Sequence, residues 1–149
     1  MKVRDCMTKN VISVGVAEPV SVAARLMARY NVGTLPVCRV DGGVSGMLTD
    51  RDVVLRCVAA NKNPDQMKVG QIMSNRVVSV SPETELPKAA ALMASEQVRR
   101  LPVVHQNQLV GMVTLADVSR QNAYSARAAE SLAEITTGVR RLGGVLSTL

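Results

Sequence analysis

The segment Gly46-Met47-Leu48-Thr49-Asp50-Arg51-Asp52 returns later in the chain as Gly111-Met112-Val113-Thr114-Leu115-Ala116-Asp117. Working outward, Leu35-Pro36-Val37 returns as Leu101-Pro102-Val103, and Ala23-Ala24-Arg25-Leu26-Met27-Ala28 as Ala89-Ala90-Ala91-Leu92-Met93-Ala94. Val11-Ile12-Ser13-Val14 returns as Val77-Val78-Ser79-Val80. The three upstream blocks keep one offset, and the last is shifted by a single residue in a turn. Four blocks in the same order mark a duplication. The copies occupy residues 1–60 and 69–120, with a polar linker at 61–68 (Asn61-Lys62-Asn63-Pro64-Asp65-Gln66) and an extension at 121–149.

Each copy reads as strand–helix–strand–strand–helix, an α+β pattern. Val11–Val14 and Val77–Val80 are short β-branched runs. Ser81-Pro82 breaks the second, and Thr84 is placed to cap a helix carrying Glu85 and Pro87 in its first turn. Glu18 and Pro19 do the same in the first copy. Core spacing picks out Val22, Leu26 and Tyr30, then Leu86, Ala90 and Met93, with Gly33 ending the first helix. Leu35–Val40 and Val44–Leu48 flank Asp41-Gly42-Gly43, a strong hairpin signal. Leu101–His105 and Leu109–Thr114 flank the weaker turn Gln106-Asn107-Gln108. Thr49 and Asp50 then start a helix running to about Ala60. A copy of about 55 residues is marginal as an independent domain. The two should therefore pack as one pseudo-twofold unit.

Composition narrows the chemistry. The 149 residues are 47% apolar, so a core is available, yet aromatics make up 1%, with no Phe or Trp. The net charge of +6 points to a polyanionic partner. Missing aromatics count against proteins that stack bases on Phe, Tyr or Trp. Cys6, Cys38 and Cys57 form no CxxC pair and His105 has no neighbouring thiol, so no metal site is expected. Sparse, odd thiols suit a reducing cytoplasm. No signal peptide or membrane span is visible. There is no Ser-His-Asp constellation and no Walker loop, so no catalytic residues are expected. His105 reads as a surface residue, and Gly42-Gly43 and Gly143-Gly144 as turn glycines.

The repeated Gly-x-x-Thr-x-x-Asp carries the chemistry. Thr49 and Asp52, like Thr114 and Asp117, stand where a strand enters a helix. Free N–H groups there favour a polar or anionic ligand. A carboxylate one turn in can accept from two vicinal hydroxyls, as an acidic residue does on ribose in dinucleotide folds. The plainer reading makes these residues helix caps worth roughly 1 kcal/mol. The copies differ around the motif. Arg51 sits inside the first, whereas the second has Leu115-Ala116 there and places Arg99-Arg100 ahead of its Leu-Pro. Guanidinium groups suit phosphate, which nominates Arg51, Arg100 and then Arg99.

Taken together, the Met7 and Met73 lead-ins, the paired Ser-Val strands, the Ala-Leu-Met helices, both Leu-Pro-Val strands and the closing motif resemble a tandem pair of cystathionine-β-synthase (CBS) domains, or Bateman module. The resemblance covers nearly all of residues 3–120. It implies two βαββα repeats with adenosyl ligands (AMP, ADP, ATP or S-adenosylmethionine) in clefts between them, and a regulatory, non-enzymatic role. It implies that Asp52 and Asp117 bind ribose, with Thr49 and Thr114 adding hydroxyl contacts. For adenine it points to Ile12, Ser13, Val14, Val78, Ser79 and Val80, and to Thr34, Pro36 and Pro102 around each Leu-Pro. Met47 and Met112 border the clefts or fill the core. CBS modules commonly pair, so a homodimer and an unknown effector protein are the expected partners.

Beyond the repeats, Ala128, Leu132, Ile135, Val139 and Leu142 share one face of an amphipathic helix, with Arg127, Glu130, Glu134, Arg140 and Arg141 mainly elsewhere. This helix is expected to pack on the module or assist dimerisation. Two other readings stay open: a ligand-free dimerisation or docking module, and a nucleic-acid binder whose affinity falls steeply with salt.

Overall fold

The computed structural model describes residues 1–121 and 125–142, with side chains of the last helix described over 129–137. The first copy supplies β1 (Val14–Gly15), α1 (Val20–Tyr30), β2 (Thr34–Cys38), β3 (Val44–Thr49) and α2 (Asp50–Val53), which a π-helical turn continues over Val54–Val58. The second supplies α3 (Leu86–Glu96), β4 (Arg100–His105), β5 (Gln108–Thr114) and α4 (Leu115–Ser119), and α5 (Ser125–Leu142) follows. The architecture is α+β, with a three-stranded sheet ordered β1-β2-β3 and a two-stranded β4-β5 sheet. Among the described residues, no helix is long and apolar enough to cross a membrane.

Two compact units form, cut differently from the sequence copies. The first unit is Asn10–Val77 with Gln106–Leu109; the second is Met1–Lys9, Val78–His105 and Val110–Leu149. The cause is an exchange of lead-in segments. Within the second unit, Leu86 N donates to Met1 O at 2.9 Å and Val3 N to Thr84 O at 2.9 Å. Thr8 and Met112 exchange backbone bonds of 2.8 and 2.9 Å. Within the first unit, Val20 N donates to Met67 O at 2.8 Å and Val69 N to Glu18 O at 2.9 Å, while Met47 and Ser74 exchange bonds of 3.1 and 2.9 Å. Each lead-in thus satisfies an otherwise unpaired N–H at a helix start.

That exchange replaces the caps expected from the sequence. Glu85 and Pro19 are the N-cap residues of α3 and α1, and neither makes a side-chain cap bond. Thr84 Oγ1 instead accepts from Ser81 N at 3.1 Å, and Glu18 Oε2 from Gly15 N at 2.8 Å. Gly33 does not end α1. Asn31 does, in the left-handed region at φ 53°, and Gln97 ends α3 at φ 60°.

The first strand of each copy is shorter than expected. Only Val14 and Gly15 pair with β2, in parallel, through Val37 and Cys38. Its counterpart is the single bridge Val80–Val103. Val80 N donates to Pro102 O at 3.1 Å and Val104 N to Val80 O at 2.8 Å. The next donor back along this parallel ladder is the nitrogen of Pro102, which carries no hydrogen. Pro36 holds the same place in the first copy. The hairpins form as expected. β2 and β3 pair antiparallel from Thr34–Thr49 to Cys38–Val44, with Gly42 at φ 90°, while Gln106 and Asn107 turn the second hairpin at φ 49° and 62°.

Each unit has its own core. Val14, Val20, Ala23, Met27, Leu35, Val37 and Leu48 lead the first; Val3, Leu86, Ala90, Met93, Leu101 and Val103 lead the second. In α1 the buried stripe is Val20, Ala23 and Met27. Val22 and Leu26 are half-buried, and Tyr30 is exposed. In α5, Ser131 and Ile135 are buried against the unit, and Leu132, expected on the core face, is 41% exposed. Glu130 and Glu134 are exposed. Arg127, Ala128, Val139, Arg140, Arg141 and Leu142 have side chains outside the described residues, and Gly143-Gly144 lies outside them entirely.

Candidate functional site

The two Thr-x-x-Asp segments adopt the same geometry. Thr49 N donates to Asp52 Oδ2 at 3.0 Å, and Asp52 N returns a bond to Thr49 Oγ1 at 3.0 Å. Thr114 N donates to Asp117 Oδ2 at 2.8 Å, and Asp117 N to Thr114 Oγ1 at 3.1 Å. Both are reciprocal capping boxes. The helices they open are four and five residues long, and the box itself takes up two of the N–H groups. The helix starts therefore offer a ligand less than the sequence pattern promised.

The carboxylates retain capacity. Each oxygen accepts about two hydrogen bonds, and one oxygen of each pair faces away from the cap. Arg120 takes Asp117 Oδ1 in a close ion pair, and Arg56 Nε stands 3.8 Å from Asp52 Oδ1. Arg56 also donates to Ile72 O at 3.0 Å, tying that oxygen's neighbour to the exchanged lead-in. Neither arginine was singled out by sequence; a cation three or four residues after each Asp is the signal that finds them. Asp117 is buried, and the Asp52 side chain is 16% exposed.

A cavity of about 420 Å³ lies in the second unit beside Thr114. It is lined by Arg99, Arg100 and Thr114, by Leu115, Ala116 and Ser119 of α4, and by Ala129 and Leu132 of α5. The structure thus brings together three of the residues nominated from sequence. Asp117, Pro102 and the Val78–Val80 segment do not line it. Pro102 and Val80 are buried, Val78 is half-buried and Ser79 is exposed. The α5 residues had no sequence signal beyond amphipathicity.

In the first unit a cavity of about 480 Å³ is lined by Ser13, Val14, the Gly15–Glu18 turn, Cys38 and Arg39. Ser13 and Val14 were expected at a ligand; Thr49, Asp52 and Arg51 do not line this cavity. Ile12 and Thr34 are half-buried, Pro36 is buried and Arg51 is exposed. Asp50 fills the space over Gly33, where a Cβ would meet Asp50 Oδ2 at 3.1 Å.

The thiols are unpaired: Cys57 is buried, Cys6 and Cys38 half-buried. Burial, then the Asp117 carboxylate, pushes the Cys6 thiol above its ordinary pKa. Burial does the same to Cys38, partly offset by a hydrogen bond from Ser13 and by Arg39. Among the described residues, no group of three His, Cys, Asp or Glu side chains is placed to hold a metal ion. His105 is exposed, and Met47 and Met112 are half-buried.

Known proteins share this architecture. The CBS domain profile matches residues 3–58 and 69–123. The CBS domain-containing protein YhcV of Bacillus subtilis is 41% identical over 134 residues, spanning 90% of this chain and 94% of that one. The crystal structure of Hypoxic Response Protein I with two coordinated zinc ions superposes with a TM-score of 0.75 at 36% identity, over 81% of this chain and 98% of that one. A curated relative of the same name, hypoxic response protein 1, is from Mycobacterium tuberculosis. The CBS domain pair of protein MJ0100, solved with 5-methylthioadenosine and S-adenosyl-L-methionine, gives 0.71 at 25% identity, over 83% and 96%. With two profile matches that cover most of its length and relatives aligned nearly end to end, the chain belongs to the CBS domain family, as a tandem pair of repeats.

Proposed function

We propose that this chain is a regulatory module that binds an adenosyl ligand, with AMP, ADP, ATP and S-adenosylmethionine as the candidate set. It passes the occupancy to an effector protein by a change in dimer geometry or partner affinity. The observation that carries this reading is the second-unit cavity, where Arg99, Arg100 and Thr114 meet an aliphatic lining. Two guanidinium groups and a hydroxyl suit phosphate, and aliphatic walls suit a base in a chain that has no Phe or Trp. Asp117, three residues after Thr114, keeps a second acceptor oxygen, which pairs with Arg120 in the ligand-free state. A CBS pair that binds two adenosyl compounds adds support from a neighbour.

A homodimer in the cytoplasm is the proposed setting. Tyr30, Val54, Leu55 and Val58 leave exposed apolar surface on the first unit, which is the kind of surface an interface covers. The three free thiols fit a reducing compartment.

Calorimetry with AMP, ADP, ATP and S-adenosylmethionine tests the reading. At least one should bind, and Asp117→Ala should weaken it. One observation favours a second reading, a ligand-free docking module: both Thr-x-x-Asp segments are already closed on themselves as caps. That reading requires an unchanged melting temperature with every nucleotide, since only binding to the folded state raises it.

A further inference from the structure

The turn of α5 that meets the unit is anchored by polar groups on one edge. Ser131 Oγ donates to Ala90 O at 3.1 Å and is itself buried. Gln97 Nε2 donates to Glu134 O at 3.2 Å. Ile135 is buried beside them. A small polar residue therefore occupies the covered edge, and the large aliphatic Leu132 next to it is 41% exposed. The amphipathic pattern alone puts Leu132 in the core. The helix is instead rotated so that Leu132 and Ala129 line the cavity that contains Arg99, Arg100 and Thr114.

That cavity has a mixed lining. Arg99, Arg100 and the Thr114 and Ser119 hydroxyls supply its polar groups; Leu115, Ala116, Ala129 and Leu132 supply the apolar ones. Leu115 is nearly buried, so most of the aliphatic surface still open to a ligand belongs to Ala116 and to α5. Such a lining fits a molecule with an anionic end and a flat, weakly polar body, which is the shape of a nucleoside phosphate. It also lies partly outside the matched repeats, because α5 runs beyond residue 123.

We propose that α5 is a wall of the ligand site: Leu132 and Ala129 contact the apolar body of a nucleoside phosphate whose phosphate meets Arg99 and Arg100, so that occupancy holds α5 against α3 and α4. This rests on the ligand-binding reading above and adds to it the element that carries the signal. The ligand bridges the guanidinium side and the helix. Filling the cavity thus covers Leu132 and adds apolar contact that the empty state lacks. The docking equilibrium of α5 shifts by the ligand's preference for the docked form and by no more than that.

The test uses the full chain with AMP and ATP as probes. Hydrogen exchange over 129–137 should slow in the wild type on adding nucleotide. Calorimetry should show Leu132→Ala binding about fivefold more weakly, while its ligand-free melting temperature falls only slightly, because the side chain is 41% exposed and only its covered part is lost. Glu130→Ala, an exposed change on the same helix, should bind as the wild type does. If the wild type binds nucleotide but Leu132→Ala binds equally well and α5 exchange is unaltered, the α5 proposal is overturned and the ligand reading stands. If the wild type binds neither nucleotide, the α5 proposal falls, and the ligand reading falls with it only when ADP and S-adenosylmethionine also fail to bind.

Discussion

Gly111 lies so close beneath Thr8 that a Cβ on it would stand 2.8 Å from the Thr8 carbonyl oxygen, and equally close to Met7 Sδ. Real Cβ atoms do not approach an oxygen so nearly. The first residue of the Gly-x-x-Thr-x-x-Asp motif is therefore a packing requirement of the exchanged lead-in, which crosses β5 at Met112. Gly46 stands in the same relation to Met73 and Ser74. Gly111→Ala and Gly46→Ala should each destabilise the chain by about 1–3 kcal/mol, the usual range for overpacking. Urea melts check this. A smaller loss for Gly111→Ala than for Gly111→Val would confirm that volume is the cause.

Much of this fold is written in the duplication. Its α+β class, its order of elements and both hairpins follow from the repeated blocks and from Asp41-Gly42-Gly43. The lead-in exchange does not, because Met1–Val3 and Met67–Val69 look like ordinary starts of their own copies. Nothing local tells a short extended segment which helix start it will satisfy. The proline at the second position of Leu-Pro-Val was legible as a strand residue. Its consequence, a parallel ladder cut short at Val80, needed the partner strand. At the site, spacing placed Thr114 and Asp117 together correctly. It could not show that the pair closes on itself, nor that Arg120 and Leu132 would join the surroundings, since those contacts depend on helix rotation.

Thr114 and Asp117 separate stability from binding. Thr114→Ser keeps a hydroxyl in the cap and should leave stability nearly unchanged. Thr114→Ala removes it and should cost about 1 kcal/mol. Asp117→Asn keeps the shape of the box and weakens the acceptor for both Thr114 N and Arg120. On the ribose reading it should lower affinity for AMP by more than its change in melting temperature accounts for. Thermal melts paired with calorimetry on the three variants make the comparison.

The Cys6 thiol should alkylate slowly. Burial and then the Asp117 carboxylate raise its pKa, so less thiolate is present at a given pH than on an exposed cysteine. Its rate with iodoacetamide should still be climbing with pH where a free thiol has levelled off. Replacing Asp117 with Asn removes the second cause and should speed the reaction at fixed pH. Mass spectrometry after timed quenching gives the rates. Cys57, fully buried, should react only on unfolding.

Leu55 sits 49% exposed beside Val54 and Val58. If this surface holds a second copy, Leu55→Glu places a charge in a desolvated interface and should convert the dimer to monomer. The folded monomer should lose little intrinsic stability, because the side chain is not in the core. Sedimentation at several concentrations reads the state directly. A wild-type chain that is monomeric at high concentration would sink the dimer assignment.

Arg99 and Arg100 both line the second-unit cavity, and both are exposed. The role given to them is specific to phosphate, so the informative comparison is between ligands rather than between proteins. Arg100→Ala should weaken AMP by roughly tenfold, the loss of one charge-assisted contact of about 1.4 kcal/mol. Adenosine, which lacks the phosphate, should bind the variant and the wild type alike. Arg100→Lys keeps the charge but not the planar fork and should fall between them. Arg99→Ala should follow the same pattern with a smaller change if Arg100 is the principal contact. A parallel loss of AMP and adenosine binding would mean that the arginines shape the cavity rather than meet the phosphate. Salt gives an independent check: AMP affinity should weaken as ionic strength rises, while adenosine affinity stays level.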